Sequence, residues 1–441
     1  MSALLSRINA SERGRFALLA FLLFFNAMVL ESNEVVATSG FISNVGVPQI
    51  LIVWAADMAI IIITSGVYSL FVDRVQRGRL AVMLYILFCV VYLMLYLLFN
   101  SGSAGLIGYG LLLVVNDQQW LLFPLVVWAL ANDMFSVSEA KRLFPVLGIA
   151  AFSGGMVGNA TAAAVAQIVG QHFGLLLFNA ILILFSGIIL YFALRRIRIT
   201  TRQSREGEKL FDSLREGIGF VREVPIYRYL TFAMILLGIG LNAIEFDFLT
   251  NVSETYTDAA QVQTFYGTFK LAVAIGLVIL QGFVASWLLN KVGFKYIFVI
   301  LPIVMLIALM MGMLWPGILG IVLGNYIVRI SKLGVDEPSN KAFQNLVPDE
   351  RRGRVSAFMD GYLYPLGSIL GCFIVGATLI ANGQGLISEN SARVLYLGIA
   401  MVGAVTALFL TTRIHLHYDR SMLNWRLKRR KRGSAIENLD F

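Results

Sequence analysis

Histidine, cysteine and proline are scarce in this chain, with three, two and nine copies among 441 residues. Neither a phosphate-cradling Gly-x-x-x-x-Gly-Lys run nor a Gly-x-Ser-x-Gly, His-Glu-x-x-His or Cys-x-x-Cys pattern occurs. Enzymatic chemistry and ATP hydrolysis therefore have no support, and no cofactor is expected. Cys89 and Cys372 fall in separate apolar runs, so no disulfide is expected. Charge is also sparse, at 14% of residues, against about 25% in soluble domains.

What fills the chain is hydrocarbon: 58% of residues are hydrophobic and the mean hydropathy is +0.78. A soluble globule is excluded. A span needs roughly 20 apolar residues, and twelve such runs are present. They lie near 16–40, 47–72, 79–99, 105–131, 143–169, 173–194, 226–250, 263–289, 293–315, 317–335, 354–381 and 391–413. The first lacks a small-residue cleavage site and is expected to be retained.

The net charge of +9 is a topological signal, not one for nucleic acid. Basic residues follow the even-numbered runs: Arg74, Arg77 and Arg79; Lys141 and Arg142; Arg195, Arg196 and Arg198; Lys291 and Lys295; Arg351, Arg352 and Arg354; then the Lys428–Arg432 tail. Arg393 is the visible exception. The bias predicts that both termini are cytoplasmic in a multi-pass protein, with a bacterial inner membrane favoured by the short outer loops.

Polar residues inside the runs nominate a site. Span 1 carries Asn26, Glu31, Asn33 and Glu34, and the two glutamates, three apart, share a helix face. A carboxylate in hydrocarbon costs about 2.5–3.5 kcal/mol on insertion scales, so this face should meet a polar cavity. The alternative ends span 1 near Leu30 and leaves the glutamates in an outer loop. Span 2 holds Asp57, and span 4 is interrupted by Asn116, Asp117, Gln118 and Gln119, which should face a cavity or end the helix. Span 7 carries Asn242, Glu245 and Asp247. Lys270 lies well inside span 8, as part of a solute path or of an ion pair with Glu245 or Glu31. Arg329 and Lys332 in span 10 either line the path or snorkel to the membrane surface.

The chain repeats itself weakly. Asn26-Ala27 and Asn242-Ala243 are 216 residues apart, and Gly154-xxx-Gly158 and Gly367-xxx-Gly371 are 213 apart. Such spacing implies two duplicated halves, which in carriers place the solute near the midplane. The expected organisation is a leader (1–15), a first six-helix bundle (16–194), a cytoplasmic linker with an amphipathic helix (195–225), a second bundle (226–413) and a basic tail (414–441).

The stretch Trp128 to Asn132, with Glu139-Ala140-Lys141-Arg142, Pro145 and Gly148, reads as a tight turn between two spans, with Pro145 suited to a helix start. A second version runs from Pro338 through Lys341, Arg351, Arg352 and Arg354 to Asp360 and Gly361. The first resembles the fourth-to-fifth-helix turn of the ATP/ADP translocase (nucleotide transporter) family, whose fold is of the major facilitator type. Gly240 to Glu245 resembles the same family. Asp73-Arg74 to Gly78 resembles the loop joining helices 2 and 3 of major facilitators.

The resemblance implies an all-α integral membrane protein: twelve transmembrane helices in two pseudo-symmetric six-helix bundles. Its implied function is alternating-access exchange of nucleotides or other anions, by a monomer in a lipid bilayer. The expected solute- or ion-binding residues are Glu31, Asn33, Glu34, Asn242, Glu245, Lys270, Arg329 and Lys332. The expected cytoplasmic gate comprises Asp73, Arg74, Glu139, Lys141, Arg142, Arg354 and Asp360. The sequence departs from the family where charge matters. Glu31 to Glu34 offers no basic residue, and Phe248 and Leu249 replace a tryptophan and a lysine. A proton-coupled carrier of another solute, with Glu31, Glu34 or Glu245 as proton site, is the second reading. A non-transporting scaffold or sensor is the third.

Overall fold

The computed structural model describes residues 9, 12–71, 76–169, 173–196, 218–281, 296–315, 317–344, 347, 355–356 and 358–437. Among them there is no strand, as expected where hydrocarbon forces each segment to satisfy its own backbone. Twelve helices among the described residues are long and apolar enough to cross a membrane. The α-helices that build these spans are, in order, α1 (Arg13–Asn44), α2 (Val47–Phe71), α3 (Arg77–Asn100), α4 (Gly105–Met134), α5 (Val137–Val169), α6 (Gly174–Arg196), α7 (Pro225–Thr255), α8 (Ala259–Ile279), α9 (Ile300–Leu314), α10 (Ile318–Ser331), α11 (Glu337–Gln344), α12 (Tyr364–Gly383) and α13 (Glu389–Glu437). The tenth span is composite, α10 running into α11 through a wide turn at Lys332–Asp336. Large apolar side chains such as Ile52, Leu314 and Phe373 are left 71%, 73% and 66% exposed. That makes sense only if the solvent on this surface is lipid.

The chain forms two compact units. The first comprises 1–210 with 249–278, so α8 packs with α1 to α6; the second comprises 211–248 with 279–441.

In the first unit α1 lies directly on α5. A Cβ at Gly154 would stand 2.0 Å from the Phe24 carbonyl oxygen, and one at Gly158 would stand 2.3 Å from that of Met28. The absent side chains allow backbone contact, the close-approach packing that small residues give membrane helices. The second unit repeats the device with α12 on α7. A Cβ at Gly367 would meet the Ile235 carbonyl at 2.6 Å, and one at Gly371 would meet Asn242 Cβ at 2.8 Å. The same two-glycine spacing thus supports the same kind of crossing in both units.

Two expectations about turns are corrected. Pro145 does not start a helix; it lies inside α5, which begins eight residues earlier at Val137. The start is set by a capping box. The Ser136 backbone N–H donates to Glu139 Oε2 at 2.7 Å, and the Glu139 N–H donates to Ser136 Oγ at 3.4 Å. Pro338 likewise is no turn between spans but sits in α11, continuous with α10. A proline inside a helix clashes with the carbonyl four residues before it. Here that residue is Gly334, within the wide turn Lys332–Asp336. The pattern recurs at Pro365, preceded four residues earlier by Gly361 within the wide turn Met359–Leu363. Each widened turn absorbs its proline without ending the span.

Candidate functional site

In the first unit the charged centre is Lys270 on α8. Its Nζ lies 3.0 Å from Glu31 Oε2 and 2.5 Å from Glu34 Oε2. The glutamates sit one turn apart on α1, which runs on to Asn44, so the outer-loop alternative is excluded. Asn159 of α5 donates from Nδ2 to Glu31 Oε2 at 3.0 Å. One cation is thus shared by two carboxylates and tied to three helices.

Asn33 does not join them. It is fully buried and accepts a 2.7 Å bond from Asn179 Nδ2 of α6, which also donates to Ser32 Oγ at 2.8 Å. It is turned away from Glu31 and Glu34 because neighbouring residues on a helix face directions roughly 100° apart.

The polar run in α4 does not end the helix, and two of its members hydrogen-bond to neighbouring helices. Tyr92 of α3 donates to Gln119 Oε1 at 2.6 Å, and Gln119 Nε2 donates to Asn26 Oδ1 of α1 at 2.9 Å. Gln118 Nε2 donates to Asp57 Oδ1 of α2 at 3.3 Å. Glu34 and Lys270 are charged groups that act on Asp117. Neither aspartate is among the expected site residues. Their signal was the carboxylate itself, in an otherwise apolar run.

The second unit has its own charge set on α7. Arg329 Nη2 of α10 lies 2.6 Å from Glu245 Oε1. Asn325 Nδ2 donates to Glu245 Oε2 at 3.0 Å, and Arg329 Nε donates to Asn325 Oδ1 at 2.8 Å. The three side chains close a ring. Asn325, one turn before Arg329, was missed in the sequence, although its position in an apolar helix was the available clue.

Asp247, two residues along α7 and on the opposite face, is held by Arg393 of α13. Arg393 Nε and Nη2 donate to its two oxygens at 2.7 and 3.1 Å, and Tyr396 O–H adds a bond at 2.9 Å. Asn242 is elsewhere again, donating to Ser368 Oγ and Cys372 Sγ of α12, both at 3.3 Å. Lys332 lies 3.9 Å from Glu337 Oε1 and 3.8 Å from the centre of the Tyr364 ring, a cation–π contact.

Of the expected gate, Asp73, Arg74 and Arg354 lie outside the described residues, as does the side chain of Lys141. Arg142 Nη2 lies 2.6 Å from Glu12 Oε1, and Arg15 Nη2 lies 3.5 Å from Glu139 Oε1. Arg15 also donates to the Met134 carbonyl and stacks over Phe135. The Ser136 N–H and hydroxyl, and then Arg15, hold the Glu139 carboxyl below the usual carboxylate range. Burial pushes the Glu12 carboxyl up, but the Asn9 N–H and Arg142 outweigh it and leave it lowered. In the second unit Asp360 pairs with Lys341 and accepts a 2.8 Å bond from Gln344 Nε2. A further pair outside the expected set, Arg77 Nη1 with Asp133 Oδ1 at 2.6 Å, ties the start of α3 to the end of α4.

Several solved transporters share this architecture. The nucleoside transporter NupG, in a mutant form, is 13% identical, with a TM-score of 0.67 over 90% of this chain and 99% of that one. An auto-inhibited POT family peptide transporter is 12% identical, with a TM-score of 0.63 over 89% and 96%. A bacterial homolog of the human lysosomal transporter Spinster, inward-facing and unoccupied, is 14% identical, with a TM-score of 0.59 over 95% and 99%. At such identities the likeness is one of fold. A search of curated proteins finds no match. The sequence model of the Major Facilitator Superfamily matches residues 121–372, more than half of the 441. With twelve apolar helices and ion pairs carried on them, this multi-pass membrane protein belongs to the major facilitator superfamily.

Proposed function

We propose that the chain is a secondary transporter that works by alternating access on a small solute carrying few or no net negative charges, with nucleosides as the first class to test. The carrying observation is Lys270, held by both Glu31 and Glu34. A cation kept in an apolar helix bundle at the cost of desolvation, and balanced by two acids, is more than a structural pair needs. Breaking and remaking such contacts gives a solute or proton a way to change the relative stability of two conformations.

Charge balance bears on the solute. Lys270, Arg329, Lys332 and Arg393 each face at least one carboxylate. A nucleotide would have to win these cations from ligands already in contact, at a cost that a neutral solute avoids. The NupG structure is that of a nucleoside transporter, which supports the choice of probe.

Nucleotide exchange is the second reading, favoured by the Trp128 to Gly148 stretch. It requires a polyphosphate to displace Glu31 and Glu34 from Lys270.

Uptake of labelled uridine, ATP and a dipeptide into proteoliposomes, each with and without the same solute inside, tests the choice. Saturable uridine uptake supports the first reading, and ATP uptake that requires internal nucleotide supports the second. No saturable flux and no thermal stabilisation by any of the three would count against both and leave the scaffold reading.

A further inference from the structure

At the end of the first unit where α3 begins and α4 and α6 finish, the surface opens into a cavity of about 570 Å³. Arg77 and Arg79 of α3, Asp133 of α4 and Arg195 of α6 bring their charges to its wall. Asp133 answers Arg77, whose Nη1 lies 2.6 Å from its Oδ1. Arg195 donates to the Tyr191 hydroxyl, and its guanidinium carbon lies 4.5 Å from the centre of that ring. Arg79 is exposed and makes no hydrogen bond or ion pair with the described residues. Three arginines against one aspartate leave two positive charges in one recess without a counter-ion.

Such a recess attracts an anion, and the planar fork of arginine matches the oxygens of a phosphate group. The rest of the wall says which kind. One turn deeper along α3 and α6 it becomes apolar, through Val82, Met83 and Leu194. Met83 is 58% exposed, on a surface whose solvent is hydrocarbon. A soluble anion gains nothing from that lower wall, and an acidic peptide in the water above it would not reach it. A glycerophospholipid meets both parts, with its phosphate at the arginines and its chains against the apolar residues. A zwitterionic headgroup fits less well, because it brings an ammonium to cations that are already unbalanced.

We propose that this cavity binds one anionic glycerophospholipid of the adjoining leaflet, with Arg79 and Arg195 taking its phosphate and Met83 and Leu194 meeting the start of its chains. Arg77 stays with Asp133 and is not needed for the lipid. Bound there, the lipid links the start of α3 to the end of α6, and its occupancy adds to the stability of the first unit. The site is read without any solute, so it stands or falls apart from the carrier reading.

The test is native mass spectrometry of the full chain in detergent, titrated with phosphatidylglycerol, phosphatidylethanolamine and phosphatidylcholine of the same chain length. The wild type should take up one phosphatidylglycerol at concentrations that leave the other two unbound. Arg79→Gln together with Arg195→Gln should weaken that binding about tenfold or more, since each arginine near anionic lipid is worth roughly a factor of five. Arg13→Gln together with Arg222→Gln removes the same charge from exposed arginines outside the cavity and should leave the binding within about twofold. Equal losses in the two pairs, or equal binding of the three lipids, would overturn the proposal. Phosphatidylglycerol should also raise the melting temperature of the wild type and not that of Arg79→Gln with Arg195→Gln. Stabilisation of the same size by inorganic phosphate or glycerol 3-phosphate would assign the cavity to a soluble anion and overturn the lipid reading. If the double variant fails to fold, Arg79→Gln and Arg195→Gln singly should each weaken the binding severalfold, and unchanged binding in both would sink the idea.

Discussion

Lys270 Nζ lies 2.5 Å from Glu34 Oε2 and 3.0 Å from Glu31 Oε2, so one cation contacts both span 1 glutamates. Lys270→Ala should therefore leave two acids facing one another. Removing one partner of a fully buried pair costs about 3–5 kcal/mol. Here the glutamate side chains keep 28% and 27% of their exposure, so a loss of about 1–3 kcal/mol is expected. Adding Glu31→Gln and Glu34→Gln should restore the melting temperature of the purified protein but not uptake. If the triple variant regains uptake as well, the cluster is structural only.

The contact of α5 with α1 makes a second, solute-independent prediction. Gly154→Ala and Gly158→Ala place a methyl 2.0 and 2.3 Å from backbone oxygens. Each should cost about 1–3 kcal/mol, the usual penalty of overpacking. Gly376→Ala on α12 meets nothing within 4 Å and should be neutral or slightly stabilising, since alanine is the better helix former. Thermal melts in one detergent compare all three. Equal melting temperatures would mean that α1 and α5 are not in backbone contact.

The spans were legible in the sequence because hydrocarbon imposes a length and a composition. The run read near 16–40 is the core of Arg13–Asn44, and that near 105–131 is the core of Gly105–Met134. The glycine spacing gave the crossings for the same reason, since only a missing side chain permits them. Pairings were less legible. Glu31, Asn33 and Glu34 are equally polar on paper, and only the orientation of α1 sends two of them to Lys270 and the third to Asn179. Arg393 stood out only as an exception to the charge bias, because its partner Asp247 lies 146 residues away. Pro145 and Pro338 misled because local propensity marks a boundary, whereas packing in an apolar medium keeps the helix intact through them.

The capping box at the start of α5 gives a pH dependence. The Ser136 N–H, the Ser136 hydroxyl and Arg15 lower the Glu139 carboxyl from its ordinary 4.5. A carboxylate lowered on folding contributes stability that is present above its unfolded value and lost as pH falls through its folded value. Glu139→Gln should thus melt below the wild type at neutral pH, and the difference should shrink as pH falls below about 4.5. Melting curves from pH 7 to about 3 measure this. A difference that stays constant across the range would show that the ionised carboxylate contributes nothing at this helix start.

Asp247 and Glu245 share α7 but should respond differently to substitution, because their settings differ. Asp247 is 3% exposed and its oxygens are filled by Arg393 and Tyr396, an arrangement that fastens α13 to α7. Tyr396→Phe removes one bond to a charged acceptor and should cost about 1.5–3 kcal/mol. Arg393→Gln should cost more than the pair Asp247→Asn with Arg393→Gln, since the double change leaves no unpaired buried charge. None of these should alter which solute is taken up. Glu245, closed into a ring with Arg329 and Asn325, is the group on α7 expected to govern transport. Glu245→Gln keeps the size and the amide contacts while removing the charge opposite Arg329. It should lower uridine uptake by tenfold or more, about 1.4 kcal/mol per decade, with a smaller shift in melting temperature than Arg393→Gln. Should Glu245→Gln transport normally while Arg393→Gln abolishes uptake at an unchanged melting temperature, the assignments of the two acids would have to be exchanged.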